Sequence, residues 1–229
     1  MTTLYQDEIR CSQCRKLSEH EVIESAGSFG SSDLDIRPAE MMRSTLPQQV
    51  QCCPHCGYCM PSVSAPLPNV STLLASAEYR QQLESKEYPE LANRFLCSAM
   101  ILESLGRLKD AGWACIHGAW ACDDAGDIQP AKNCRLRAES AIGRAIINGQ
   151  GTTDRPGFDF LILADLLRRA GEFERADQRL KEGFSPNCDQ EVLFLLIFER
   201  LLINRRDTAC HTVEEAIEAS TRMCLEYSG

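Results

Sequence analysis

The sequence predicts a mainly α-helical protein with a small, cysteine-rich β module at its N-terminus. Two Cys-x-x-Cys motifs lie in the first quarter of the chain, together with most of the Gly- and Ser-rich loop sequence. From residue 71 onward the chain is rich in Leu, Ala, Arg and Glu, and no alternating β pattern interrupts the helical spacing of its apolar residues. We therefore place one domain at residues 1–66 and a helical domain at residues 67–229.

The two Cys-x-x-Cys motifs predict a single metal site. Two intervening residues let the chain turn tightly and present both thiolates to one ion, and two such turns complete a tetrahedron. Pro54 stiffens the second turn, and Gly57 permits the positive φ angle that it requires. Four thiolates leave no coordination position for water, so the bound ion would be structural. The predicted ligands are Cys11, Cys14, Cys53 and Cys56.

The identity of the metal and the choice of cysteines in the second motif each have an alternative. Cys52 and Cys59 flank the second motif, and either thiol could replace a ligand because Cys56 and Cys59 also form a Cys-x-x-Cys motif. The same spacing suits a rubredoxin-like iron centre, but residues 1–68 contain only three aromatic residues, too few for the dense aromatic core of such centres. We therefore expect structural Zn²⁺. This small module would depend on it for folding.

Composition and charge indicate the cellular compartment of the protein and the class of partner that it binds. A 44% hydrophobic content can supply a core, and 13 cysteines without a secretory leader indicate reduced thiols in the cytoplasm. No apolar run approaches the length of a membrane span, so we expect a soluble protein. Residues 1–68 hold 5 Lys/Arg against 8 Asp/Glu, and residues 69–229 hold 19 against 25. An acidic chain of this kind is a poor nucleic-acid binder.

Three charged residues alternate in the segment between the two motifs. In an extended segment Asp33, Asp35 and Arg37 would share one face. They could form a catalytic carboxylate pair, but the simpler interpretation is an arginine that fastens a long loop through an ion pair. The chain has no phosphate-binding loop, no HExxH motif and no nucleophile elbow, so we predict no enzymatic activity.

The N-terminal module is predicted as a ribbon with a long inserted loop. Residues 1–10 are interpreted as a polar lead-in, Leu17–Ser25 as a strand, and residues 25–35 as loop. Residues 45–51 would pair with that strand. Eight helices follow, at residues 71–86, 89–104, 107–125, 129–148, 157–170, 172–183, 189–204 and 208–225.

Two helix pairs match each other at an offset of sixty-five residues. Gly106 corresponds to Gly171 in the predicted turns, and Ala111 corresponds to Ala176 on the second helices. This internal repeat resembles tetratricopeptide-type (TPR) helix pairs, most closely from Phe160 to Gly183. The resemblance implies a short solenoid with a concave surface for a protein or peptide, and the alternative is a compact helical bundle without such a groove. A third copy thirty-four residues further on would have Arg205 where glycine is expected.

The whole pattern resembles an uncharacterised bacterial family that carries a domain of unknown function. The resemblance rests on the first Cys-x-x-Cys motif, the closing Cys53-Pro54-His55-Cys56-Gly57-Tyr58, and the TPR-like helices. Arg15 departs from this pattern, since glycine is usual there. The resemblance implies a zinc-ribbon-like head on a TPR-like body and no reaction. We expect a zinc-binding adaptor. The alternative is a nucleic-acid-associated ribbon, which would need five cations on one face: Arg10, Arg15, Lys16, Arg37 and Arg43.

Overall fold

The computed structural model describes residues 2–151, 155–186 and 188–226, with the backbone alone for residues 220–226. The outer limits of the two predicted domains, residues 1 and 229, lie outside these ranges. In chain order the elements are the strands β1 (Thr3–Arg10) and β2 (Leu17–Ser25), a 3-10 helix (Arg43–Gln49), the strands β3 (Gln51–Cys52) and β4 (Cys59–Met60), and the helices α1 (Ser71–Leu74), α2 (Ala77–Leu83), α3 (Glu90–Ser104), α4 (Leu108–Ala125), α5 (Ile128–Ile147), α6 (Phe158–Ala170), α7 (Phe173–Gly183), α8 (Gln190–Asn204) and α9 (Val213–Glu226).

The N-terminal ribbon consists of β1 and β2, paired antiparallel. The predicted strand Leu17–Ser25 is confirmed, but the interpretation of residues 1–10 as a polar lead-in is wrong. Tyr5 lies opposite Val22 in the ladder, and this aromatic and β-branched pair favours the strand. Nearly all of β1 is exposed, so no burial periodicity marked it in the sequence.

The expected pairing of residues 45–51 with the first strand is also wrong. Residues 43–49 form a 3-10 helix instead, and Pro47 within it has no amide to donate to a strand ladder. The hydroxyl of Thr45 donates to the carbonyl of Met42 at 2.7 Å, which closes the first turn. The chain then enters β3, which pairs with β4 so that Cys52 lies opposite Cys59.

Six of the eight predicted helices are confirmed to within one residue at each end. The predicted helix 71–86 is instead two short helices, because Ser76 adopts an extended conformation and its hydroxyl caps α2 by accepting the amide of Tyr79. The last helix begins at Val213 instead of residue 208, since the side chains of Asp207 and Thr212 bind nearby backbone amides in a turn.

The two helix pairs that match at the sixty-five-residue offset share their turns. Gly106 (φ 70°) ends α3 and Gly171 (φ 87°) ends α6, and the second helix of each pair begins two residues later. In both turns the residue after the glycine donates its amide to the carbonyl of the residue four positions before the glycine, at 2.9 Å. The equivalent left-handed residue after α8 is Arg206 (φ 53°), one residue beyond the position predicted for glycine.

The hydrophobic core joins the N-terminal module to the helices. One cluster of buried apolar residues contains Cys53 and Tyr58 together with Tyr79 and the inner faces of α3 to α6. A second cluster contains Leu34 with side chains of α6 to α9. Within the described ranges, no helix is long and apolar enough to cross a membrane.

Candidate metal centre and its attachment to the helices

The four predicted ligands converge on one point. Cys11 Sγ lies 3.7 Å from Cys56 Sγ, and Cys14 Sγ lies 3.6 Å from Cys53 Sγ. All four sulfur atoms are within 4.8 Å of one another. A tetrahedral site with metal–sulfur bonds of about 2.3 Å has sulfur–sulfur edges of about 3.8 Å. The four thiols are therefore spaced as one tetrahedral metal ion requires.

The first cysteine turn forms although it lacks glycine. The amide of Arg15 donates to the carbonyl of Cys11, and the amide of Cys11 donates to the carbonyl of Lys16, both at 2.9 Å. These bonds hold Arg15 at φ 65°, in the left-handed region that L residues rarely adopt. Arg10 then donates to the carbonyl of Arg15 at 2.8 Å. The departure from glycine therefore introduces backbone strain and leaves the turn intact.

The second cysteine turn has the same backbone bonds. The amide of Gly57 donates to the carbonyl of Cys53 at 2.8 Å, and the amide of Cys53 donates to the carbonyl of Tyr58 at 2.9 Å. Gly57 has φ 74°, and a Cβ atom there would lie 2.6 Å from Cδ2 of Leu83. Glycine is needed at this position both for its conformation and for the close approach of α2.

Backbone amides stabilise the charged form of the cysteine sulfurs. Burial raises the pKa of Cys53, while the amides of His55 and Cys56 oppose the rise by donating to its sulfur. Burial also acts to raise the pKa of Cys14, but the amide of Lys16 and the neighbouring thiols outweigh it, so this pKa lies below its usual value. These amides favour the thiolate, the form that binds metal, although burial leaves the pKa values of Cys53 and Cys56 above their usual value.

Helix α2 holds the second turn through its backbone. The buried hydroxyl of Tyr79 donates to the carbonyl of Gly57 at 2.7 Å, and the guanidinium of Arg80 donates to the carbonyl of Cys56 at 3.0 Å. Both bonds satisfy carbonyl groups that the tight turn leaves without a backbone partner. The predicted metal site is therefore anchored directly to the helical part of the chain.

The two additional thiols lie outside the four-sulfur cluster. Cys52 and Cys59 face each other across β3 and β4, and Cys59 Sγ donates to the carbonyl of Gly57 at 3.3 Å. His55 is exposed and hydrogen-bonds to the carbonyl of Leu17 through Nε2, at 3.1 Å. The geometry thus brings Cys53 and Cys56 together with the first turn and directs their neighbours elsewhere.

Residues 31–37, named the strap hereafter, cross from the N-terminal module to the far helices. The amide of Leu34 donates to the carbonyl of His211, and the amide of Val213 donates to the carbonyl of Ser32, both at 2.9 Å. The Leu34 side chain is 1% exposed in the second core cluster. The strap therefore fastens the start of the chain to the turn before α9.

The strap is not extended, so the expectation that its three charged residues share a face is wrong. The amide of Asp33 donates to the carbonyl of Arg37, and Ile36 adopts φ 59°. Asp33 binds Arg43 at 2.6 Å, whereas Oδ2 of Asp35 accepts the indole N–H of Trp120 at 2.8 Å. The two carboxylates thus have separate partners, and both are buried.

The arginine of the strap fastens the loop, as the simpler interpretation predicted. Arg37 is 4% exposed and binds the carboxylate of Asp124 on α4 at 2.6 Å. Arg169 of α6 binds Asp35 and Asp123, each at 2.8 Å. The strap is therefore held to α6 by the buried Asp35–Arg169 pair and to α4 by the Arg37–Asp124 pair, whose carboxylate is half-exposed. The sequence signalled the charges of the strap but not the helical partners of Asp35 and Arg37, which lie 85 to 134 residues away.

A second buried ionic group lies beside the strap. Arg168 is fully buried and binds Asp165 at 2.6 Å and Glu199 at 2.8 Å. Its third nitrogen donates to the carbonyls of Asp207 and Ala209, in the turn before α9. This arginine therefore ties α6, α8 and that turn together. No sequence feature distinguished Arg168 from the many exposed arginines.

The five cations that a nucleic-acid-binding ribbon would need are not all available. Arg37 and Arg43 are engaged by Asp124 and Asp33, and Arg10 donates to the carbonyl of Arg15.

Comparison with protein-family models gave no match, and searches among curated proteins and among solved structures found no significant similarity.

Proposed function

We propose that this protein is a cytoplasmic, non-enzymatic adaptor with a structural zinc site and a TPR-like helical domain that binds a protein or peptide partner. The observation that carries the metal assignment is the convergence of four thiols at 3.6 and 3.7 Å. The proposed ion closes a loop of thirty-eight residues between the two cysteine turns. Four sulfur ligands leave it no open position for substrate, which supports a structural role.

Metal analysis of the purified protein tests the zinc assignment. We expect close to one equivalent of Zn²⁺ per chain and no visible absorption. A red chromophore with stoichiometric iron would instead establish the rubredoxin-like alternative, because both ions accept four thiolates in this geometry. Less than half an equivalent of any metal would refute the site.

The TPR-like interpretation of the helical domain rests on its two matched turns and on an apolar strip of α8. Phe194 and Ile197 are 38% and 39% exposed, one helical turn apart. Neighbouring apolar side chains that remain exposed on one helix face favour a protein partner, whereas single exposed ones do not. The strap covers a different part of the helices, beside α4 and α6. We therefore place the proposed partner on α8.

Affinity capture with a matched pair of variants tests the partner. A protein recovered specifically with the full chain should be lost with the double variant Phe194→Ser/Ile197→Ser. The same protein should be kept with the control Ile128→Ser/Ile147→Ser. This control removes two apolar side chains that are 72% and 84% exposed on α5. Equal recovery with both variants would place the partner elsewhere. Nucleic acid is the less favoured partner, and a mobility shift at low salt would restore it.

A further inference from the structure

A cavity of about 510 Å³ opens between the N-terminal module and the first helix pair. Three elements form its wall: the end of the 3-10 helix with the residues after β4, one face of α3, and one face of α4. On α4 the lining residues Asp110, Trp113, Ala114 and His117 follow the i, i+3, i+4, i+7 spacing of a single helix face. Cavities of this volume accommodate small organic molecules.

The wall of the cavity is mainly apolar and aromatic. Phe95 and His117 pack edge to face with their ring centroids 5.3 Å apart, and Trp113 lies one turn before His117 on the same helix. Aromatic side chains of this kind favour a planar ring, which they contact by stacked or edge-to-face packing. The cavity is distinct from the four-thiol centre, whose cysteines are absent from its lining.

The cavity offers no free charge to a ligand. Arg107 and Asp110 at its wall bind each other at 2.6 Å. Burial lowers the pKa of His117 to about 4, so its imidazole is neutral at neutral pH. An ionised ligand would lose its hydration without gaining an opposite charge in return. The cavity therefore favours an uncharged molecule.

Two polar side chains at the cavity have hydrogen-bonding capacity to spare. The side-chain Nε2–H of Gln48 donates a hydrogen bond to the carboxylate of Glu21, which fixes the orientation of the amide. The Oε1 atom of Gln48 is buried and accepts no hydrogen bond within the described part of the chain. The imidazole of His117 likewise makes no hydrogen bond to the described residues, although its neutral form has one donor and one acceptor. A buried acceptor in this state calls for an N–H or O–H donor.

We propose that the cavity is a binding site for a small, uncharged aromatic molecule that carries an N–H or O–H donor. Its ring would pack against Phe95, Trp113 and His117, and its donor would bind Oε1 of Gln48 once a small rotation of that side chain exposes the buried atom to the cavity. The site goes beyond the adaptor function, because it lies away from the α8 strip and would bind a free molecule.

Titration of the full-length chain with three related probes tests this site. The chain has two tryptophans, so its NMR spectrum holds two indole N–H signals, and the Trp113→Phe variant identifies the signal of Trp113. We expect p-cresol to shift that signal saturably and to shift the signal of Trp120 less, because Trp120 is outside the lining and contacts the cavity only through His117. Toluene lacks the donor and should bind about three- to tenfold more weakly. The ionised 4-methylbenzoate should not bind.

Matched variants separate the hydrogen bond from the packing. Gln48→Met removes the acceptor and should reduce the affinity for p-cresol to that for toluene, whereas the exposed Gln81→Met should change neither. Ala114→Leu fills the cavity and should abolish both. The absence of a saturable shift with p-cresol and toluene would overturn the site. Tight binding of 4-methylbenzoate would overturn its preference for uncharged ligands, and an unchanged ratio in Gln48→Met would overturn the role of that residue.

Discussion

The N-terminal part of the chain is attached to the helices at two places, and the two attachments use different chemistry. At the cysteine turns, Tyr79 and Arg80 donate hydrogen bonds to backbone carbonyls of the second turn. At the strap two ion pairs make the attachment: Asp35 with Arg169, which is buried, and Arg37 with Asp124, in which the arginine is buried and the carboxylate half-exposed. The first attachment depends on a turn that the proposed metal would hold in place, whereas the second does not involve the cysteines.

This difference separates two sources of stability. Metal binding to cysteines that are distant in sequence supplies folding free energy directly, because the unfolded chain has no preformed site. Buried ion pairs supply little net stability, but loss of one partner is costly because the other remains buried and unpaired. We therefore expect the two attachments to fail independently. The variants below test that independence, in order of decreasing effect.

Removal of one predicted ligand should have the largest effect. Cys56→Ser should reduce bound zinc below half an equivalent and forfeit metal-binding free energy on the order of 10 kcal/mol. Cys52→Ser is the matched control, because Cys52 lies beside a predicted ligand but outside the four-sulfur cluster. Metal analysis and thermal unfolding followed by circular dichroism give both readouts. Equal zinc loss in the two variants would contradict the ligand set.

Removal of the central carboxylate of the strap should cost less and leave the metal in place. Asp35→Ala leaves Arg169 and the indole of Trp120 without their shared acceptor, so we expect a loss of about 3–5 kcal/mol in urea unfolding. Glu174→Ala breaks an exposed pair with Arg206 and should leave the stability almost unchanged. Zinc content should stay at the wild-type level in both variants. Loss of zinc from Asp35→Ala would show that the two attachments are coupled.

The ionic group beside the strap should make stability depend on pH. Burial raises the pKa of Glu199 to about 8, with a further rise from Asp165 that Arg168 opposes. Between about pH 4.5 and pH 8 the folded state therefore binds a proton that the unfolded state has released. Stability should fall as pH rises through this window, by at most about 1.4 kcal/mol per pH unit.

The variant Glu199→Gln isolates this effect, because its amide oxygen can still accept from Arg168 while the titration is removed. The free energy of unfolding, measured in urea from pH 5 to pH 9, should decline less steeply in the variant than in the wild type. Glu191→Gln, an exposed substitution at the start of the same helix, should keep the wild-type slope. Identical slopes in all three proteins would contradict the raised pKa of Glu199.

Sequence patterns predicted those parts of this fold whose determinants are local. Six helices, the strand β2 and the meeting of the four cysteines follow from apolar spacing and from two short motifs. The strand β1 was missed because its residues are exposed on both faces and show no alternation of burial. Its pairing depends on β2, which supplies the cross-strand partners.

The strap could not be predicted because its structure depends on distant residues. Asp33, Asp35 and Arg37 stood out by their alternation, yet an extended segment was the wrong inference, since the chain turns at Ile36 and two of these side chains bind distant partners on α4 and α6. An isolated sequence does not reveal that Arg169 is one of the few buried arginines among the described residues. The cavity beside Gln48 is likewise formed by three elements that meet only in the folded chain.

The smallest effects compare the two cysteine turns with each other. Arg15 and Gly57 occupy equivalent left-handed positions, at φ 65° and φ 74°, but only Gly57 is pressed against α2. Gly57→Ala should therefore cost about 1–3 kcal/mol, since the new Cβ would lie 2.6 Å from Leu83 and the backbone would be strained. Arg15→Gly relieves strain, and part of the gain is offset by the greater freedom of glycine in the unfolded chain.

We expect Arg15→Gly to raise stability by about 0.5–1 kcal/mol in urea unfolding of the metal-loaded protein. Arg15→Ala is the control, because it removes the same side chain and keeps the unfavourable φ angle. A gain of equal size in Arg15→Ala would show that the arginine side chain, and not the backbone, is the source of strain. Opposite signs for Gly57→Ala and Arg15→Gly would establish that the two turns share one backbone geometry and differ in how well their sequences fit it.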